Sequence, residues 1–370
     1  MEAHNLKKIV ALRHELHAHP ELSGREEWTR GRLMDFLREN TSLAVTDRGG
    51  GVCAARRGTG RGIAFRADMD ALPMPEAIAL AHASRCDGVS HKCGHDGHCA
   101  ALCGLALELE TLPPGRPVLL IFQPAEETGA GGEGCASLLG EEDISEVYAF
   151  HNLSGYPEGS VIVRDGCSQC ASEGMMIRLT GRPCHASEPE KGLNPSSAIA
   201  AIIHRAEELS ARPRRGMMLC TVVHVRVGSP DFGISPGEGE VFVTLRAEEE
   251  AEMMELEADL REFAAALASR QGLEADVKLR DVFPETRNSA RCVARIREAA
   301  RRLGRNVIEM ERPWRASEDF GWYTKRCPGA IFYIGNGEGY PALHTPEYDF
   351  NDRILETTAD MFRALADAQA

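Results

Sequence analysis

Apolar residues recur at helical spacing through "NLKKIVALRHELHAHP" and onward, so helix is expected over 5–40. It ends before "TSLAVTDRGGGVCAARRG", where apolar alternation around three glycines predicts a strand, a tight turn and a second strand. "GIAFRADMDALP" reads as a strand running into a loop, and after the "HKCGHDGH" loop a helix is expected from about His95 to Leu112. The apolar strand "PVLLIFQP", the loop "AEETGAGGEG", a short helix at "CASLL" and the strand "EVYAFHN" follow. Strands that alternate with helices in this way predict an α/β fold, a mostly parallel sheet with helices on both faces.

From about residue 171 the order changes. Strand "EGMMIRLTG", a helix over 194–210, strands "MMLCTVVHVRVG" and "GEVFVTLRA", a helix over 250–271 and strand "EADVKLRDVF" give β-α-β-β-α-β, the pattern of a ferredoxin-like α+β domain. The first pattern then returns with a helix over 288–303, the strand "AIFYIG" and a final helix from about Asn351. Residues 1–167 and 286–370 are therefore expected to form one domain, with 168–285 inserted into it.

The total of 370 residues suits two cores. A formal charge of −14 argues against a nucleic-acid partner, which needs clustered Lys and Arg. No basic-then-apolar leader and no apolar run long enough to span a membrane stand out, so a cytoplasmic protein is expected. The twelve cysteines are irregularly spaced, many in apolar runs such as "HCAALCGLAL", and read as small buried hydrophobes in a reducing compartment.

In an open α/β sheet, ligands gather beyond the carboxyl ends of the strands. "RADMDALP", "QPAEETG" and "FHN" each follow an apolar strand and so converge on one rim. Cys93, His95, His151, His344 and the pair Glu126-Glu127 offer sulfur, nitrogen and oxygen donors suited to a borderline-soft divalent metal. Five ligands exceed what one catalytic zinc takes, and two cations accommodate them better. One glutamate of the pair can then bind a cation while the other stays free as a general base. Two other motifs carry less. "GAGGEG" matches G-x-G-x-x-G, but glutamates stand where a pyrophosphate would lie. "CSQC" at 167–170 has no second pair at zinc-finger spacing and reads as a buried turn.

"LRHELHAHPELSGRE", "FRADMDALPMPE", "CGHDGH", "QPAEETGAGG", "GRPCHASEPEKGLNP", "SEDFGWY" and "LHTPEYDFND" occur in this order over nearly the whole chain. Together they resemble the amidohydrolase branch of the aminoacylase/carboxypeptidase G superfamily, which includes hippurate hydrolases, indole-acetyl-amino-acid hydrolases and N-acetyldiaminopimelate deacetylases. The resemblance implies a dinuclear metallohydrolase with an inserted lid domain that forms a homodimer. It implies Cys93, His95, Glu127, His151 and His344 as ligands of two divalent ions, zinc or manganese, and Glu126 as general base. Asp70 matches an aspartate that supports the site, and Asp68 stands where more distant relatives carry a ligand histidine, which Cys93 replaces here. His98 is expected to pack the helix or support the ligands. On the inserted domain, His185 matches a histidine that donates to the tetrahedral oxyanion, and Arg246 one that pairs with a substrate carboxylate. Gly233 and Cys184 depart from the family's pattern, which touches substrate choice and leaves the metal chemistry intact.

The expected reaction is metal-dependent hydrolysis of an N-acyl amino acid or a related small amide to a carboxylate and an amine. A dipeptidase or carboxypeptidase of the same superfamily, a silent metal-binding protein keeping the fold, and a structural zinc protein are the alternatives.

Overall fold

The computed structural model describes residues 1–48, 50–113, 115–212 and 215–367. Gly49, one of the three glycines of the expected turn, lies outside them. The chain divides into two compact units, one made of 1–168, 286–313 and 318–370, the other of 169–285 with 314–317.

In the first unit an eight-stranded sheet runs in the order 44–48, 51–56, 118–123, 62–68, 144–153, 329–335, 161–163, 307–309. Its four central strands, Val118–Gln123, Gly62–Asp68, Ile144–Leu153 and Gly329–Gly335, are mutually parallel neighbours. Three of them are buried at every position, which is why they appear in the sequence as mostly apolar runs, interrupted at Arg66. Helix His95–Leu109 is buried along its whole length and packs against Ala3–Ala18, Leu355–Asp367 and strand Gly62–Asp68, so it shows no polar face.

The expected helix over 5–40 is two helices, Ala3–Ala18 and Glu27–Asn40. The break has a local cause: Pro20 disfavours helical backbone at His19, and Gly24 takes a left-handed φ of 75°. Strands Val161–Val163 and Val307–Glu309 were not anticipated, because three residues carry no readable period. Cys167 lies in a short strand, Gly166–Gln169, in place of the expected turn. No cysteine pairs in a disulfide among the described residues.

The second unit holds a four-stranded antiparallel sheet in the order 218–227, 238–247, 171–180, 274–283. Helices Ser196–Ser210 and Glu250–Gln271 bury Ile199, Ile202, Leu256 and Leu260 against it. Strand Met218–Val227 forms one edge and leaves Val223 and Val225 exposed.

Candidate metal centre

The parallel pairing of the four central strands puts their carboxyl ends on one rim of the sheet, and the candidate residues of the first unit follow those ends. Asp68 and Asp70 come from the first of these strands in sequence, Glu126 and Glu127 from the loop after Val118–Gln123, His151 from the end of Ile144–Leu153, and His344 from the loop after Gly329–Gly335. Cys93 and His95 sit at the start of helix His95–Leu109. Gly94 makes that entry possible, because its φ is 105° and a Cβ there would stand 2.5 Å from Asn152 Oδ1.

His95 meets Glu126 and Glu127 with donor atoms within 4.8 Å of one another, and two further sets meet within the same limit, Cys93 with His95 and His151, and Cys93 with Glu127 and His344. Cys93 is common to those two. Its Sγ lies 3.4 Å from His151 Nε2. His95 Nε2 is 3.8 Å from Glu127 Oε1, which is 3.7 Å from His344 Nε2. His95 Nε2 and Glu127 Oε1 are both buried and have no hydrogen-bond partner among the described residues, an arrangement that is costly unless something else satisfies them.

The ring orientations fit ligation. His95 Nδ1 donates to the Asp70 carbonyl (3.0 Å) and faces Asp70 Oδ1 (3.2 Å), which turns the Nε2 lone pair toward the donor set. His151 Nδ1 donates to the Asn152 carbonyl at 2.8 Å, with the same result. Asp70 also accepts from Ser23 Oγ (2.7 Å) and from the Glu127 amide (2.9 Å), so one carboxylate braces both a ligand histidine and the glutamate loop. His98 has its ring nitrogens committed to Asp68 Oδ1 and Asn152 Oδ1, leaving none for a cation.

Burial penalises the His95 imidazolium, but the charges of Asp68 and Cys93 outweigh that and hold His95 well above the usual imidazole range. Burial dominates at the other ligands. It pushes the Cys93 thiol well above its ordinary range, with the Glu127 charge adding to it, and pushes Glu127 up to about 7. It pushes Glu126 well above the usual carboxylate range, reinforced by the charges of Glu318 and Glu127. Burial holds His151 and His344 low, hence neutral. A divalent cation reverses the penalty on thiolate and carboxylate and uses neutral imidazole lone pairs, so the residues present fit a metal centre.

Glu126 lies 3.9 Å from His95 Nε2. Its loop turns tightly: the amides of Ala130 and Gly131 donate to the Ala125 carbonyl, and the Gly129 amide to that of Glu126. The glycines of "GAGGEG" serve this turn, since a Cβ on Gly131 would stand 1.7 Å from the Pro124 carbonyl oxygen.

Two buried polar clusters were missed. Arg66 sits among Asp68, Glu318 and Asp319, with Nη1 donating to Asp68 Oδ2 (2.7 Å) and Nη2 to Asp319 Oδ1 (2.6 Å). Its signal was visible, an arginine inside the apolar run "GIAFRAD". His17 pairs with Asp96 (2.7 Å) and Glu76 (3.0 Å) beside Arg13.

His185 and Arg246 belong to the second unit. His185, exposed on the short strand Cys184–His185, takes contacts at Nδ1 from the Ser187 amide (3.1 Å) and Oγ (2.6 Å). The Ala186 amide donates to the Gly233 carbonyl at 2.9 Å, so the two departures from the family's pattern, Cys184 and Gly233, both border this histidine. Arg246, in strand Glu238–Ala247, donates to the Arg315 carbonyl.

The sequence profile of peptidase family M20/M25/M40 matches residues 64–368. N-acetylcysteine deacetylase of Bacillus subtilis is 29% identical over 97% of this chain and 96% of its own length. N-acetyldiaminopimelate deacetylase of Exiguobacterium sibiricum is 29% identical over 95% of this chain and 96% of its own. Among solved structures, a dinuclear metal-binding peptidase of the M20 family from Bacillus subtilis superposes with a TM-score of 0.84 at 27% identity, covering 99% of this chain and 98% of that one.

Proposed function

The chain belongs to peptidase family M20/M25/M40 and is a metal-dependent amidohydrolase, and from that premise we propose that it hydrolyses the amide bond of N-acyl amino acids, short acyl groups such as acetyl included. The observation that carries this reading is the separation of duties within the glutamate pair: Glu127 faces His95 and His344 among the ligand atoms, while Glu126 stands beside them in a pocket that raises its proton affinity. The deacetylase names of the two relatives support the acyl-amino-acid class.

In this reading Cys93, His95, Glu127, His151 and His344 hold two divalent cations, zinc or manganese. The cations, when bound, supply positive charge that lowers the pKa of water and polarises the scissile carbonyl. Glu126 takes the proton from the attacking water and returns it to the leaving nitrogen. Asp70 keeps the His95 ring and the Glu127 backbone in place. His185 donates to the oxyanion, and Arg246 pairs with the substrate carboxylate. Residues 1–167 and 286–370 act as the catalytic domain, and 168–285 as a lid through which two copies pair. The exposed Val223, Val225, Phe232 and Ile234 on the second unit support that pairing.

The test is a panel of N-acetyl and N-benzoyl amino acids and dipeptides, run with metal-depleted protein and protein reloaded with zinc or manganese. Cleavage of the acyl-amino acids only after reloading is expected; exclusive cleavage of dipeptides would reassign the enzyme to the peptidases.

A further inference from the structure

The glutamate loop is anchored at two backbone amides, and the second anchor has no role in the reaction described above. The Glu127 amide donates to Asp70. Two residues earlier, the Ala125 amide donates to Glu26 Oε1 at 2.7 Å. Ala125 has a φ of 54°, in the left-handed region that costs a residue with a Cβ about 1–2 kcal/mol. Such a conformation persists where surrounding contacts hold it, and it directly precedes Glu126.

Glu26 is 5% exposed and stands just before helix Glu27–Asn40, where a carboxylate would ordinarily cap the free amides. It makes no such cap. Glu21 does that work, accepting from the amides of Trp28 (3.1 Å) and Thr29 (2.8 Å). A carboxylate buried at a helix start and relieved of capping, held by the amides of Gly24 and of its own residue and accepting also from Ala125, ties that loop to the helix start.

We propose that Glu26 is a positioning residue for Glu126: it fixes Ala125 in its left-handed conformation and so sets the direction of the Glu126 carboxylate. This rests on the reading of Glu126 as proton carrier. The anchor at Glu127 uses a different carboxylate, Asp70, so loss of Glu26 is expected to leave the cation ligands in place and misdirect the base. Misplacement of a reacting group by about 1 Å costs on the order of 100-fold in rate.

The experiment compares wild type, Glu26→Ala and Glu26→Gln for metal content, kcat and KM on the best amide of the panel, and for hydrogen exchange of the backbone over 119–131. Glu26→Ala is expected to keep its metal and its KM within about twofold while kcat falls about 10- to 100-fold. Glu26→Gln, whose amide oxygen still accepts from Ala125, returns kcat to within about threefold of wild type. An unchanged kcat in Glu26→Ala, a parallel loss of metal, or a Gln variant as slow as the Ala variant overturns the proposal. If the metal-loaded wild type cleaves no amide, the reading of Glu126 fails by itself, and exchange decides the clamp. Faster exchange in Glu26→Ala and restored protection in Glu26→Gln uphold it, and unchanged exchange overturns it.

Discussion

His95 Nε2 and Glu127 Oε1 face one another across 3.8 Å, both buried and both without a hydrogen-bond partner among the described residues. Buried polar atoms left without a hydrogen-bond partner are costly, and a cation held between these two loops satisfies both. Chelation is therefore expected to abolish turnover and also to lower the thermal midpoint, because a ligand present at about 100 times its Kd stabilises by about 2.7 kcal/mol. Thermal unfolding with and without a chelator, followed by metal titration, checks both effects. A midpoint indifferent to metal would mean the cluster binds none.

Replacing Glu126 separates proton transfer from ligation. Glu126→Ala should retain its metal and lose about 10²- to 10⁴-fold in kcat, the usual worth of a positioned general base. Metal analysis beside steady-state kinetics gives the answer, and undiminished turnover removes Glu126 from that role.

Asp70 touches the His95 ring and the Glu127 amide together. Asp70→Asn keeps the shape but weakens both hold points, so metal affinity should fall about 10- to 100-fold, as when an outer partner of a ligand histidine is lost. Competition with a chromogenic chelator measures it.

Much of this site was legible in the sequence because its residues follow strands whose mostly apolar runs mark them as interior and parallel. Strand order placed the segments around Asp70, Glu126-Glu127 and His151 on one rim, and the family resemblance added Cys93, His95 and His344 and chose Glu127 as the ligand of the pair. What stayed hidden depends on three-dimensional packing. Nothing in "HPELSGRE" says that Glu26 reaches Ala125, ninety-nine positions away. The cluster of Arg66 with Asp68, Glu318 and Asp319 joins segments about 250 residues apart. The break at Pro20 was local and readable, but the helical period on either side of it concealed it.

The exposed edge strand Met218–Val227 leads to a prediction about assembly. Val223 is 60% exposed and Val225 44%, a liability for an unpaired edge and an asset for a paired one. Val225→Lys should shift the protein from dimer to monomer in light scattering while leaving metal content unchanged. A wild type that is monomeric at every concentration refutes pairing through this strand.

The last expectation concerns pH and follows from His17. Burial alone would lower its pKa, but hydrogen bonds and charge from Asp96, the hydrogen bond to Glu76 and the charge of Asp349 outweigh that and push it up to about 9. Arg13 Nη1, 3.5 Å away, and the ring of His82 also face it. A folded-state pKa above the ordinary value of 6.5 means that the native state holds the proton more tightly than the unfolded chain does. The resulting stability is fully present below 6.5 and is lost as the pH rises from there through about 9. The contribution reaches at most about 3 kcal/mol. Denaturant unfolding of wild type and His17→Gln at about pH 6 and about pH 9.5 isolates the contribution of His17 together with its partners Asp96 and Glu76, because groups away from them cancel in the difference. The gap between the two proteins should be widest at the lower pH and shrink at the higher one. A gap that is constant or grows with pH would show that His17 is held neutral.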